Sequence, residues 1–384
     1  MAKSQILAQS PNDVVIVSAL RTAITKAKKG GFKDTHPEEL LSNVLKAVYT
    51  TAKLDPKLIE DVAVGNVLPP GGGANAARMA ALHAGIPNSS SVYTVNRQCS
   101  SGLTAVSQIA NEISTGQIDI GIGAGVESRP VEPGVGRLLD SYGHHLRNVA
   151  AEYKISRATQ DDFAAKSFAK AAAAQKAGKF RAEIVPIKTK WTDPKTNEEK
   201  EIVVEHDDGV REGVTAESLG KLKPAFSKTG STHAGNASQV SDGAAAVLLA
   251  RRSVAQKLGL PILGKFVTSA VVGVPPKIMG VGPAFAIPKA LSKAGIQLGD
   301  VDFFEINEAF ASQAVMSVQH LGIPFEKVNP NGGAIALGHP LGCTGARQVA
   351  TAFAHAKRTK ERVIVTSMCI GSGMGMAAVF VNEQ

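Results

Sequence analysis

Residues 91–113 read SVYTVNRQCSSGLTAVSQIANEI. Ser91-Val92-Tyr93-Thr94-Val95 is strand-like, and Asn96 to Gly102 is a turn of small and polar residues. A helical pattern follows, with Leu103, Val106, Ala110 and Ile113 on one face. Cys99 therefore stands where a strand hands over to a buried helix. Unpaired backbone N–H groups and the positive end of the helix dipole meet there, and both favour thiolate over thiol. This strand–turn–helix unit recurs on either side. Val14 to Ala19, Asp61 to Val67 and Gln117 to Val126 read as buried strands, and Ala76 to Ala84 reads as a helix after Gly71-Gly72-Gly73. Strands alternating with helices predict α/β layers around a parallel sheet.

Composition agrees. The chain has 384 residues, 44% of them hydrophobic, with 38 glycines, which suits a large α/β protein with many tight turns. No stretch approaches 18 uninterrupted apolar residues, so no transmembrane helix is expected. Three cysteines without a C-x-x-C pair exclude a disulfide framework and argue against structural zinc. The net charge of +9 is spread along the chain, its densest patch being Lys26, Lys28 and Lys29 near Arg21. That charge reads as a soluble basic surface or as attraction for an anionic small molecule such as a phosphorylated cofactor. No motif supports nucleic-acid binding. The first thirteen residues show neither a signal-peptide core nor an Arg-rich presequence, and the last three are not an S-K-L address.

The texture changes between 127 and 240. Residues 129–140 form a Pro/Gly-rich connector, Ser156 reads as the N-cap of an alanine-rich helix running to about Gly178, and 188–213 is charged without a core pattern. We read 127–240 as a surface insertion carrying binding loops. The α/β texture returns at Asp242 to Leu249, Pro261 to Val267, Asp302 to Ile306, Arg362 to Met368 and Ala377 to Val381. A weak internal repeat is visible. Leu58 to Asn66 resembles Leu298 to Asn307, and Val95-Asn96 matches Val328-Asn329. The glycines at 121–125 match those at 371–375. The expected domains are 1–126 with 241–262, an inserted 127–240, and 263–384.

Three further segments carry candidate chemistry. Residues 331–346 (NGGAIALGHPLGCTGA) hold His339 in a glycine-rich loop stiffened by Pro340. A lone histidine is usually a surface or satisfied core residue, but small neighbours here let a ligand approach, and a histidine near a thiol can take its proton. Cys369, in SMCIGSGMG, follows a buried strand, where open α/β folds place ligands; it is an acid/base candidate or an inert core thiol. Cys343 reads as packing. Asn307, in Glu305-Ile306-Asn307-Glu308-Ala309-Phe310, can hold a water or donate to an oxyanion. Neither glycine run completes a dinucleotide fingerprint, so NAD and FAD are not expected. Cys99, Cys369 and His339 lie in separate turns rather than at metal-ligand spacing.

Taken together, Asn96 to Gly102, Ala234-Gly235-Asn236-Ala237-Ser238, Asn307 to Phe310, Gly338-His339-Pro340-Leu341-Gly342 and Cys369 to Gly373 resemble the thiolase family, in its order, over Val14 to Val381. Asn236 to Asp242 and Gly273 to Pro283 are most similar to its fungal peroxisomal, 3-ketoacyl-CoA type. The resemblance implies duplicated, layered α/β halves with mixed sheets and an inserted loop domain that binds CoA. It implies thiolytic cleavage of 3-oxoacyl-CoA, with Cys99 as nucleophile, His339 as base and Cys369 as acid/base. Asn307 would hold an oxyanion water, and Gly371 would give a backbone N–H to an oxyanion. Arg211, Ser218, Phe226, Ser238, Met279 and Phe310 match substrate- or CoA-binding positions. It further implies CoA as substrate with no permanently bound cofactor, a homodimer, and the peroxisome, with the cytoplasm as the alternative. Residues 129–145 depart from the family: Glu127-Ser128 runs into Arg129-Pro130, and Tyr142 stands where methionine is usual. The rival expectations are an acetoacetyl-CoA thiolase, a decarboxylating ketoacyl synthase, disfavoured because it uses two histidines and one cysteine, and an inactive acyl-CoA-binding relative.

Overall fold

The computed structural model describes residues 2–128, 148–225 and 230–384. Its first half contains strands β1 (Val14–Arg21), β2 (Thr25–Lys26), β3 (Asp61–Gly65), β4 (Ser91–Val95) and β5 (Ile120–Glu127). A hairpin of β6 (Ile187–Thr192) and β7 (Glu199–Val204) follows, then β8 (Ser241–Arg251). The second half has β9 (Gly264–Gly273), β10 (Phe303–Ile306), β11 (Val363–Ile370) and β12 (Met374–Asn382). The helices used below are α1 (Ser101–Thr115), α2 (Arg157–Lys176), α3 (Ala311–Leu321) and α4 (Thr344–Thr359).

Among the described residues one sheet runs β10-β11-β12-β9-β1-β8-β5-β3-β4, with β2 beside β8. Read outward from its centre, it is the same design twice. In the first half β3 is parallel to both β4 and β5, while β8 lies antiparallel between β5 and β1. In the second, β10 is parallel to β11, and β12 lies antiparallel between β11 and β9. Phe304 of β10 also bridges in parallel to Val328, which takes the place of β4. The halves join where Val14–Ile16 pair with Phe266–Gly264. Such strands are continuous apolar runs because both faces are covered: every residue of β5, β10 and β11 is buried.

The duplication places the reactive turns. Helix α1 follows β4, and α4 follows Val328 at the equivalent position, so the two pack against each other between the halves. Leu103, Val106 and Ile109 of α1 share a buried cluster with Ala346, Val349 and Phe353 of α4. Each large side chain enclosed this way contributes roughly 1.5–3 kcal/mol. The crossing is close enough that a Cβ on Gly102 would sit 2.7 Å from the Gly342 carbonyl.

The repeat is real, but its glycines are not equivalent. Gly121, Gly123 and Gly125 lie inside β5, whereas Gly371 and Gly373 lie in the turn between β11 and β12. The strand-end counterpart of Cys369-Ile370-Gly371 is Val126-Glu127-Ser128. Between the halves, α2 is capped as expected: the Ser156 hydroxyl accepts from the Thr159 N–H. Residues 188–213 differ from expectation, for they include most of the β6–β7 hairpin. It hides Ile187 and Thr189 and exposes Lys188 and Lys190, and Lys190 pairs across to Glu199 at 2.8 Å. Its alternation is too short, and its outer face too charged, to read as core. No helix of the described residues is long and apolar enough to cross a membrane.

Candidate active site

The Cys99 turn is built by local polar side chains. Asn96 Oδ1 accepts from the Gln98 N–H at 2.9 Å; Ser101 Oγ accepts from the Arg97 N–H at 2.9 Å and donates to the Gln98 carbonyl at 2.7 Å. They hold Gln98 in the left-handed region at φ 48°, uncommon for a residue with a side chain. A single 3-10 turn, Gln98–Ser100, then carries buried Cys99 into α1. Its Sγ accepts from the Gly371 N–H and from its own N–H. These contacts do not make a thiolate. Burial pushes the thiol up to about 11, with the nearby Glu127 charge acting the same way, against the lowering by the two N–H groups. The helix-mouth expectation is therefore reversed: full desolvation outweighs the backbone donors.

Gly338 adopts φ 109°, which only glycine takes readily, and turns the chain into His339. The His339 N–H donates to the Gln239 carbonyl at 3.0 Å, docking the loop on the segment before β8. Its ring is oriented through Thr344. Thr344 Oγ1 lies 2.6 Å from His339 Nδ1 and 3.0 Å from the Pro340 carbonyl, and with its proton on that carbonyl it accepts from Nδ1–H. In that arrangement the ring proton is on Nδ1 and Nε2 accepts from Asn307 Nδ2 at 3.3 Å. Burial, and secondarily the Arg347 charge, push His339 down to about 3, so the imidazole is neutral.

Asn307 stands at the end of β10, its N–H donating to the Ser367 carbonyl at 2.9 Å. Its side-chain oxygen is buried and has no protein partner among the described residues. Ser367 is two residues before Cys369 on β11, so one strand links the histidine group to the thiol group. Cys369 is pushed upward by burial and then by the nearness of Cys99. Gln98 Nε2 donates to Ser372 Oγ at 3.2 Å, tying the Cys99 turn to the turn that holds Gly371. Cys343 lies in the apolar cluster between α1 and α4. The structure thus brings Cys99 together with Cys369 and Gly371, and His339 together with Asn307, the two groups being joined along β11 through Ser367. The arrangement can move a proton to neutral His339, and it offers backbone N–H donors to negative charge formed beside Cys99.

Beyond this centre, Arg211 and Ser238 line a cavity of about 360 Å³ with Lys26, Gln239, Leu219 and Leu222. Its two walls meet at Asp161 of α2. That carboxylate accepts from His233 Nε2 at 2.7 Å, Asn236 Nδ2 at 2.9 Å and Arg157 Nε at 2.6 Å. Arg157 in turn donates to the Leu219 and Leu222 carbonyls, both at 3.0 Å. Ser218, Met279 and Phe310 do not line this cavity. The Ser218 hydroxyl is engaged in the cap of the short helix Ala216–Gly220, Met279 is buried in the turn Pro276–Val281, and Phe310 bridges to Ala237. Phe226 and residues 129–145 lie outside the described residues. Sequence reasoning missed Thr344, Asp161 and Glu127. The last was signalled by an acidic residue ending a buried strand.

Comparison with known proteins adds to this geometry. The family model described as "Thiolase, N-terminal domain" matches residues 14–136 and 138–253, and "Thiolase, C-terminal domain" matches 260–382. The N-terminal match is broken at 137, inside the stretch 129–145. A peroxisomal 3-ketoacyl-CoA thiolase of Yarrowia lipolytica is 58% identical over 98% of this chain and 95% of that protein. The human peroxisomal 3-ketoacyl-CoA thiolase is 56% identical over 97% of this chain and 91% of its own length. The crystal structure of the dimeric peroxisomal thiolase of Saccharomyces cerevisiae matches with a TM-score of 0.89 at 50% identity, covering 99% of this chain and 100% of that one. An acetyl-CoA acetyltransferase of Bacillus anthracis matches with a TM-score of 0.91 at 37% identity, over 97% of this chain and 99% of its own.

Proposed function

The chain belongs to the thiolase family, and on that premise we propose that it cleaves 3-oxoacyl-CoA with CoA to acetyl-CoA and a shortened acyl-CoA, in peroxisomal fatty acid β-oxidation. The observation that supports this reading is that the two groups it needs are both neutral. A thiol, Cys99, sits on the Gly371 N–H, and a histidine, His339, has a tautomer that leaves Nε2 unprotonated.

The steps follow from those groups. His339 Nε2 takes the Cys99 proton as Sγ attacks the 3-keto carbon. The N–H groups of Cys99 and Gly371 receive the oxyanion. Its collapse breaks the carbon–carbon bond, and the electron pair passes into the thioester carbonyl of the departing acetyl-CoA unit as an enolate. His339, now protonated, and a water on Asn307 face that enolate oxygen, while Cys369 gives its proton to the carbon. Acetyl-CoA leaves acyl-Cys99 and a Cys369 thiolate. That thiolate takes the proton of incoming CoA, whose sulfur attacks the acyl group. Cys99 leaves and recovers its proton from His339, so both thiols and the imidazole are restored. The substrate's own carbonyl is the electron sink, so the reading calls for CoA as substrate and no permanently bound cofactor.

We assign CoA to the cavity beside Arg211 and Ser238, within an inserted unit of residues 127–240. The two halves of the fold are read as 1–126 with 241–262, and 263–384. Ser218, Phe226, Met279 and Phe310 are proposed as more distant contacts of the same ligand. A homodimer is the proposed assembly, supported by the dimeric Saccharomyces relative and by β4, an open sheet edge among the described residues. The test uses 3-oxoacyl-CoA of two chain lengths without free CoA, with mass spectrometry of Cys99. Acyl-Cys99 and acetyl-CoA are expected with both. An adduct from acetoacetyl-CoA alone would favour the acetyltransferase specificity that the Bacillus anthracis likeness raises, and no adduct would overturn the enzyme reading.

A further inference from the structure

The carboxyl group of Glu127, at the end of β5, takes no part in the steps above, yet it is fully enclosed. Its two oxygens serve different elements. Oε1 accepts from the Leu68 N–H at 3.1 Å, in the loop after β3. Oε2 accepts from the Gly342 N–H at 2.9 Å. The Val67 N–H is a further donor to it. Gly342 belongs to the His339 turn, which is closed by the Cys343 N–H on the Pro340 carbonyl at 2.9 Å. A single side chain at the end of β5 therefore holds the histidine turn of the second half. The backbones are already in contact there: a Cβ on Gly342 would stand 2.6 Å from Asn66 Cα and 2.8 Å from the Val126 carbonyl.

Among the described residues no cation is hydrogen-bonded to this carboxyl group, and burial pushes it up to about 8 against the lowering by the Gly342, Leu68 and Val67 N–H groups. Its geometry gives the enclosed carboxyl a use, because each of its two oxygens accepts from an N–H group of an opposite loop, which an amide cannot reproduce. Cys99 comes from the first half and His339 from the second. Their separation depends on how the halves are pinned at this point.

We propose that Glu127 is a positioning residue: by holding the Gly342 and Leu68 N–H groups together, it sets the His339 turn at the distance from which Nε2 takes the Cys99 proton. This rests on the reading of Cys99 as nucleophile and His339 as base. Glu127→Gln keeps the shape but presents an NH₂ to one of the N–H donors. Glu127→Asp keeps the acceptors but is one methylene short.

The test compares two reactions of the same sulfur in folded protein. Acylation by 3-oxoacyl-CoA in a single turnover needs His339; alkylation by iodoacetamide at high pH needs only the thiolate. In E127Q acylation should slow about tenfold or more, as small displacements of reacting groups do. The substrate KM should stay within about twofold, and alkylation of Cys99 should be undiminished. E127D should show the same split, and it carries the test if E127Q fails to fold. Acylation within about twofold of the parent in the folded variants overturns the proposal, and so does an equal fall in acylation and alkylation. A His339→Asn control separates the two readings: if it acylates at the parent rate, the assignment of the base has failed rather than that of Glu127.

Discussion

Cys99 and His339 are both neutral groups, the reverse of a preformed thiolate–imidazolium pair. Cys99 is a thiol below about 11, and His339 loses its neutrality only below about 3. Alkylation of Cys99 by iodoacetamide should therefore keep rising with pH through 9 without a plateau near neutrality; a plateau near pH 7 would mean a thiolate already stabilised in the resting enzyme. The tautomer argument gives a second expectation. Thr344→Val removes the acceptor for Nδ1–H, freeing the proton to sit on Nε2. kcat should fall about tenfold to a hundredfold with little change in KM, and Thr344→Ser should retain most activity. Both turns were legible in the sequence because each is built of small and polar residues at the start of a helical pattern. The protonation of Cys99 and His339 was not, because burial is imposed by residues far away in the chain, while the helix-mouth argument used only neighbours.

At the scale of elements, buried strands such as β1, β8 and β11 announced themselves as unbroken apolar runs. The β6–β7 hairpin did not, since its buried face is a few residues long and its other face is charged. The walls of the Arg211–Ser238 cavity were hidden for another reason. They are held by Asp161, and nothing local ties an aspartate in α2 to His233, Asn236 and, through Arg157, to the Leu219 and Leu222 carbonyls. Asp161→Asn weakens the acceptor shared by these donors. We expect the KM for CoA to rise about tenfold, equivalent to about 1.4 kcal/mol, with the maximal rate of Cys99 acylation largely kept. An unchanged KM would detach Asp161 from CoA binding.

Over the whole molecule, duplication is the organising fact. It was visible in the sequence as a faint repeat, because equivalent turns keep equivalent residues, but the equivalent glycines were misaligned since a glycine can serve either inside a close-packed strand or in a turn. What fastens the stretch around Glu183 and Asp207 to β1 is a buried ion triad: Arg21 reaches Glu183 at 2.6 Å and Asp207 at 2.7 Å, all fully enclosed. Thr351 of α4 also donates to Glu183 at 2.8 Å, so the fastening spans both halves. Arg21→Ala would leave two buried carboxylates without their cation and should cost about 3–5 kcal/mol in denaturant unfolding; a loss below about 1 kcal/mol would show that the segment is held otherwise. The central claim, however, is covalent. Mixing the protein with a long-chain 3-oxoacyl-CoA in the absence of CoA, then mapping modified peptides, should find the shortened acyl group on Cys99 with acetyl-CoA released. Unmodified Cys99, or the acyl group on Cys369 instead, would contradict it.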